Sequence, residues 1–260
     1  MKCCICGTIR NCGPYLDKIF ENMELIGSLF EDYKIILYYD QSDDNTLDKI
    51  KNYQIKNTRL IFYCNLSPLL PYRTHRIAKG RNACLDIIRQ QYSDYDYFIM
   101  MDCDDKCALD MNIETLNYYL LRNKWDSLSF QHPCGYYDSW ALSKVPFVAS
   151  CHHFEEAYKG KGVQLITDII NKTPDNALIK CISAFNGFAI YRTNKFLDCE
   201  YDGNFRLDYI PKQMLALNIK YAGKMNIKDA KEDCEHRFFH FSAFIKNSAR
   251  IRISPKCLFR

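Results

Sequence analysis

The chain has 260 residues, 48% hydrophobic and 25% charged, which is the usage of a folded globular protein and excludes a disordered one. Thirty-five basic against 31 acidic residues leave a net charge of +4, too small for electrostatics alone to recruit a nucleic acid. Ten Gly and eight Pro leave little room for linkers, so one large domain is expected across residues 1–260.

In chain order, residues 3–8 form a short apolar run that reads as a strand and ends in polar Arg10 and Asn11. Gly13-Pro14 opens a helical pattern with Leu16, Ile19, Phe20 and Met23 on one face. Residues 34–39 predict a second strand, closed by Asp40, followed by a helix over 46–53 and a third strand over 59–64. The spacing then predicts a helix over 77–91 and a strand over 95–101, continuously apolar and so buried on both faces. Strand and helix alternating in this way argue for a parallel α/β sheet of the nucleotide-binding kind. Further on, 127–131, 135–142 and 184–191 read as strands, and 113–122 and 164–171 as helices. The sheet is therefore expected to be mixed and flanked by helices, with residues 1–105 as a nucleotide-binding half and 106–260 as an acceptor-binding half.

Fourteen cysteines are scattered through apolar stretches without paired C-x-x-C spacing, which suits reduced, buried thiols better than a zinc site. No leader pattern and no apolar run of membrane-span length is present, so a soluble, cytoplasmic protein is expected.

In an open α/β sheet the ligand lies beyond the carboxyl ends of the strands. Three polar clusters stand at such ends: Thr8 to Arg10, Asp40 to Asp44, and Asp102, Asp104 and Asp105. The third brings three carboxylates straight off a buried strand, and their mutual repulsion is relieved by a hard divalent cation, Mn²⁺ or Mg²⁺. An acidic turn capping the next helix is the alternative reading. Asp40 offers a hydrogen-bond acceptor for a base or ribose. Arg73, Arg76, Lys79 and Arg81 gather positive charge at a helix start, which suits nucleotide phosphates. Near the end, His236 and His240 stand four apart beside Asp233 and Glu235 in an aromatic segment. A further metal ligand and a catalytic carboxylate are both available there.

Taken in order, GRNACLD (80–86), YFIMMDCDD (97–105), YYDSWAL (136–142), FNGFAIYR (185–192), DCEHRFFH (233–240) and IRISPKCLFR (251–260) resemble glycosyltransferases of the GT-A fold. More narrowly they resemble the capsule-associated mannosyltransferase group and its bacterial and giant-virus relatives, which admits a viral origin and a host cytoplasm. The resemblance implies metal-dependent transfer of a hexose-type sugar from a UDP- or GDP-linked donor to a hydroxyl of a glycan or glycoprotein. It implies that Asp102 and Asp104 hold Mn²⁺ or Mg²⁺, with His240 or His236 completing the ligands. Thr8, Arg10 and Asp40 would hold the nucleoside, and Arg76 and Arg81 would lie near the phosphates or position the metal loop. Asp138, Trp140, Asn186 and Gly187 would contact donor sugar or acceptor, and Asp233 or Glu235, with Asp138 beside them, would supply acid–base chemistry. A non-catalytic nucleotide- or carbohydrate-binding protein on the same fold is the alternative. A nucleotidyltransferase would require a Gly-rich loop after the first strand, and GTIRNCGP (7–14) is too poor in Gly.

Overall fold

A computed structural model describes residues 1–154, 156–228 and 230–260. Eight strands form one mixed sheet in the order β3-β2-β1-β4-β7-β5-β8-β6. The parallel block comprises β1 (Lys2–Ile9), β2 (Asp32–Tyr39), β3 (Leu60–Cys64) and β4 (Tyr97–Met101). On its far side β7 (Phe188–Arg192) runs antiparallel to both β4 and β5 (Ser127–Gln131). β8 (Ile251–Cys257) lies parallel to β5, and β6 (Ile179–Cys181) closes the edge antiparallel to β8. The expected mixed α/β sheet is what the chain forms.

Both faces of the sheet are covered, which explains the unbroken apolar runs of the parallel strands. Cys3 and Ile5 of β1 point into a core with α1 (Leu16–Gly27), α2 (Thr46–Lys56) and α4 (Ile113–Leu120). Cys4 and Cys6 point the other way, onto α3 (Arg73–Gln91), α5 (Glu156–Lys172) and α7 (Glu235–Asn247). Eleven of the fourteen cysteines are buried and act as small apolar side chains, as their setting in the sequence suggested. A shorter helix, α6 (Lys212–Ala222), lies on the surface. Among the described residues, no helix is long and apolar enough to cross a membrane.

Several sequence expectations change. Residues 135–142 are irregular rather than a strand, because side chains and not a neighbouring strand satisfy their backbone. The Asn186 carboxamide oxygen accepts the Tyr137 and Asp138 amides, and Arg237 donates to the Trp140 and Leu142 carbonyls. β7 begins at Phe188, since Asn186 and Gly187 both adopt positive φ and turn the chain first. α3 starts one turn earlier than expected, at Arg73. Its first turn is capped from far away: Glu232 accepts both the amide and the hydroxyl of Thr74.

Candidate active site

The ends of β1, β2 and β4 and the first turn of α3 enclose a cleft of about 220 Å³. Thr8 and Arg10 come from the end of β1, Asp40 from the residue after β2, Asp102 and Asp104 from the loop after β4. α3 approaches closely because residue 80 is glycine; a Cβ there would lie 2.7 Å from the Tyr38 ring and 2.8 Å from the Thr8 methyl. Arg10 is tied across the rim, its Nε donating to the Gln41 carbonyl at 3.1 Å. Asp40 is 7% exposed, and its Oδ1 accepts from the Asn65 amide at 2.9 Å. Arg76 lines the cleft, but its guanidinium donates to the Leu70 and Pro71 carbonyls and so fixes the loop before α3. Arg73, one turn earlier, also lines the cleft and makes no hydrogen bond or ion pair among the described residues.

The acidic pair is held from behind. The Asp102 amide donates to the Gly187 carbonyl at 2.8 Å, and its Oδ1 accepts from Arg81 Nη2 at 2.9 Å. Burial pushes the Asp102 carboxyl up to about 7; Arg81 opposes this, while Asp104 and Asp138 add repulsion. Asp104 is also raised, chiefly by burial, against the pull of the Lys106 amide, which donates to its Oδ1 at 3.0 Å. Two hard oxygen donors that line one cleft and repel each other are a set whose charge a divalent cation would relieve. These two side chains fit Mn²⁺ or Mg²⁺.

Arg81 lies beneath the rim rather than in the cleft. Its guanidinium, 4% exposed, bonds Asp102, Glu235 and the His236 Nε2, and lies 4.5 Å from the centre of the Phe185 ring. A guanidinium only donates, so Nε2 of His236 must accept and the imidazole proton resides on Nδ1. The His240 imidazole, fully buried, has Nδ1 bonded to Ser183 Oγ at 2.9 Å and Nε2 to Tyr191 Oη at 3.1 Å. Burial, with Arg81 and Arg237, pushes its pKa down to about 3, so it is neutral. The two rings do share one helix face, 5.4 Å apart, but that face points inward. Neither lines the cleft, and as placed they do not fit as ligands of an ion held by Asp102 and Asp104. Among the described residues, no group of three or more His, Cys, Asp or Glu side chains converges on a common point for a metal ion.

The three acids read as candidate bases occupy different settings. Asp233 is buried, accepting from Arg237 Nε at 3.1 Å and the Cys234 amide at 2.7 Å. Burial works against its charge, but Arg237 and His153 outweigh it and hold it below the ordinary carboxylate range. Glu235 is buried on Arg81, and burial raises its pKa. Asp138 is partly exposed, accepts the Ala141 and Asn186 amides, and is also raised by burial. Asn186 answers with its own side chain, so Asp138 and Asn186 lock together and Gly187 carries the link to Asp102. Gly187 has φ +84°, and a Cβ there would overlap the Tyr137 hydroxyl.

Thr8, Arg10, Asp40, Arg76, Asp102 and Asp104 therefore share one cleft. Asn186, Gly187 and Asp138 support it from the side, and Arg81, Glu235 and His236 from below. The residue that sequence reasoning placed in a basic cluster without singling it out is Arg73; with Arg76 and Ile77 it has the i, i+3, i+4 spacing of one helix face.

Residues 4–192 match the family model described as "Glycosyl transferase family 2". The chain belongs to this family. The match covers β1 to β7 and the acidic pair and stops before α7. This family 2 glycosyltransferase fold is similar to that of TarS from S. aureus. A structure of TarS 1-349 in complex with UDP-GlcNAc superposes with a TM-score of 0.51 at 17% identity, covering 100% of this chain and 57% of that one. A second TarS 1-349 structure gives 0.51 and 17%, covering 98% and 57%. A longer TarS structure gives 0.53 and 16%, covering 100% and 36%. The chain thus spans little more than half the length of these solved chains at most, and at such identities the likeness is one of fold. No curated protein matches the sequence. The expected GT-A-type glycosyltransferase fold is the one observed.

Proposed function

We propose that this chain transfers a hexose from a UDP- or GDP-linked donor to a hydroxyl of a glycan or glycoprotein, with Mn²⁺ or Mg²⁺ held by Asp102 and Asp104. The observation that carries the reading is the cleft in which this acidic pair shares a rim with Thr8, Arg10, Asp40 and the unpaired Arg73. A nucleoside diphosphate needs both kinds of wall. Asp40 accepts from a ribose hydroxyl or a base N–H, while the Thr8 to Arg10 turn flanks it. Arg73 donates to phosphate oxygens, and its guanidinium, which makes no hydrogen bond among the described residues, keeps its five N–H groups for that use. When bound, the divalent cation supplies Lewis-acid neutralisation of charge on the leaving diphosphate.

Asp138 is the partly exposed member of the three acids, and its raised affinity for protons suits a group that takes the acceptor's hydroxyl proton. Glu235 supports the cleft floor through Arg81, and Asp233 through Arg237 holds the segment from Trp140 to Val148. The test is calorimetry of UDP and GDP with and without Mn²⁺, followed by product analysis across a panel of nucleotide sugars. Metal-strengthened binding of one nucleotide and turnover of one of its sugars is expected. Equal, weak affinity for both nucleotides with and without metal would overturn the proposal.

A further inference from the structure

Cys134 differs from the other thirteen cysteines: eleven are buried and two half-buried, whereas Cys134 is exposed in the turn after β5. Its Sγ lies 2.8 Å from Nδ1 of His132, and the Cys134 amide donates to the same nitrogen at 3.3 Å. The other imidazole nitrogen, Nε2, is 3.0 Å from the Lys106 carbonyl oxygen. A carbonyl only accepts, so Nε2 carries the proton and the Nδ1 lone pair is shared between the Cys134 amide and its thiol. His132 is 6% exposed and packs edge-on against Tyr137 at 5.2 Å, so the ring is fixed in that orientation. A nucleophile, a base and a group orienting the base stand in the order that activates thiols. The half-buried Cys257, whose backbone pairs with Gln131 at the end of β5, has no such help; burial pushes its thiol up.

We infer that Cys134 is a thiol-modification site that takes low-molecular-weight disulfides and small electrophiles, with His132 as its base. In the exchange, the S–H proton passes to His132 Nδ1 and the Cys134 thiolate attacks one sulfur of the incoming disulfide. The new S–S bond forms as the reagent's own breaks, and the departing thiolate takes the proton from the imidazolium. One disulfide is consumed and one made, so no further oxidant enters. The turn is linked through the Lys106 carbonyl to the loop carrying Asp104.

The experiment is a short pulse of iodoacetamide on the native full chain, with peptide mapping by mass spectrometry, and a parallel incubation with oxidised glutathione. Cys134 should be alkylated roughly tenfold faster than Cys64 or Cys257, the gain expected of a thiol with its own base. Oxidised glutathione should add one glutathione, at Cys134, removable by dithiothreitol. His132→Gln, shown to be folded by circular dichroism, should slow alkylation of Cys134 to the rate of the half-buried thiols. Labelling of Cys64 or Cys257 as fast as Cys134 in the wild-type chain, or an unchanged rate in His132→Gln, would overturn the inference. These readouts do not depend on sugar transfer.

Discussion

Replacing Arg81 by Met is the sharpest test of how the cleft is held. Met fills much of the same volume, so the loss is electrostatic rather than a cavity. The guanidinium is the shared partner of Asp102 and of the buried Glu235, whose side chain is 5% exposed. Removing one partner of a buried pair leaves an uncompensated charge, at about 3–5 kcal/mol. In a chain of this size 1 kcal/mol moves the melting temperature by roughly 2 °C, so a fall of about 6–10 °C is expected. The pH dependence identifies the cause. Arg81 lowers the pKa of both acids, so its loss raises them further above their unfolded values. A raised folded-state pKa favours the folded state at low pH and weakens it as pH rises. The deficit against wild type should therefore be larger at pH 8 than at pH 5, read by denaturant unfolding at both. A melting point within 2 °C of wild type together with lost nucleotide affinity would show Arg81 to be a ligand contact and would refute this account.

Asp104→Ala should keep the fold, since it relieves repulsion in the cleft, and should abolish the strengthening of nucleotide binding by Mn²⁺; calorimetry with and without metal reads both. His240→Gln should change the acid response. The buried imidazole has a folded pKa of about 3, so wild type loses stability as pH falls below the unfolded value near 6.5. The variant lacks that proton uptake and should gain on wild type by about 2 kcal/mol between pH 7 and pH 5; parallel stability curves would dismiss the idea. Gly187→Ala should destabilise by roughly 1–3 kcal/mol through its positive φ and the Tyr137 hydroxyl. The double variant with Tyr137→Phe should recover part of this, and strict additivity of the two changes would argue against the contact.

The parallel half of the sheet was legible because β1, β2 and β4 are buried on both faces and end abruptly in polar residues. Thr8 to Arg10, Asp40 and Asp102 to Asp104 could be placed on one rim from those endings alone. What the sequence hides is direction. Arg81 belongs to the same basic stretch as Arg73, yet one faces the core and the other the cleft, because eight positions along a helix carry the second residue onto α7. His236 and His240 have metal-like spacing, but Phe185, Ser183 and Tyr191, distant in sequence, turn their face inward. Residues 136–142 have strand-like composition, and only the side chains of Asn186 and Arg237 explain why no ladder forms. β8 escapes a periodicity reading because its alternation lasts only from Ile251 to Ser254 before Pro255 and Lys256 break it.

The tie between α3 and the C-terminal segment has a consequence for synthesis. Thr74 and Arg81 find their partners at Glu232 and Glu235, separations of 158 and 154 residues. A nascent chain can pair β1 with β2 as soon as both have emerged, but such distant closures come late because their loop entropy must be met first. Until residues 232–236 leave the ribosome, the Arg81 guanidinium lacks its α7 partners and the first turn of α3 lacks its cap. The cleft, lined by residues between 8 and 104, would thus become rigid only after α7 has emerged.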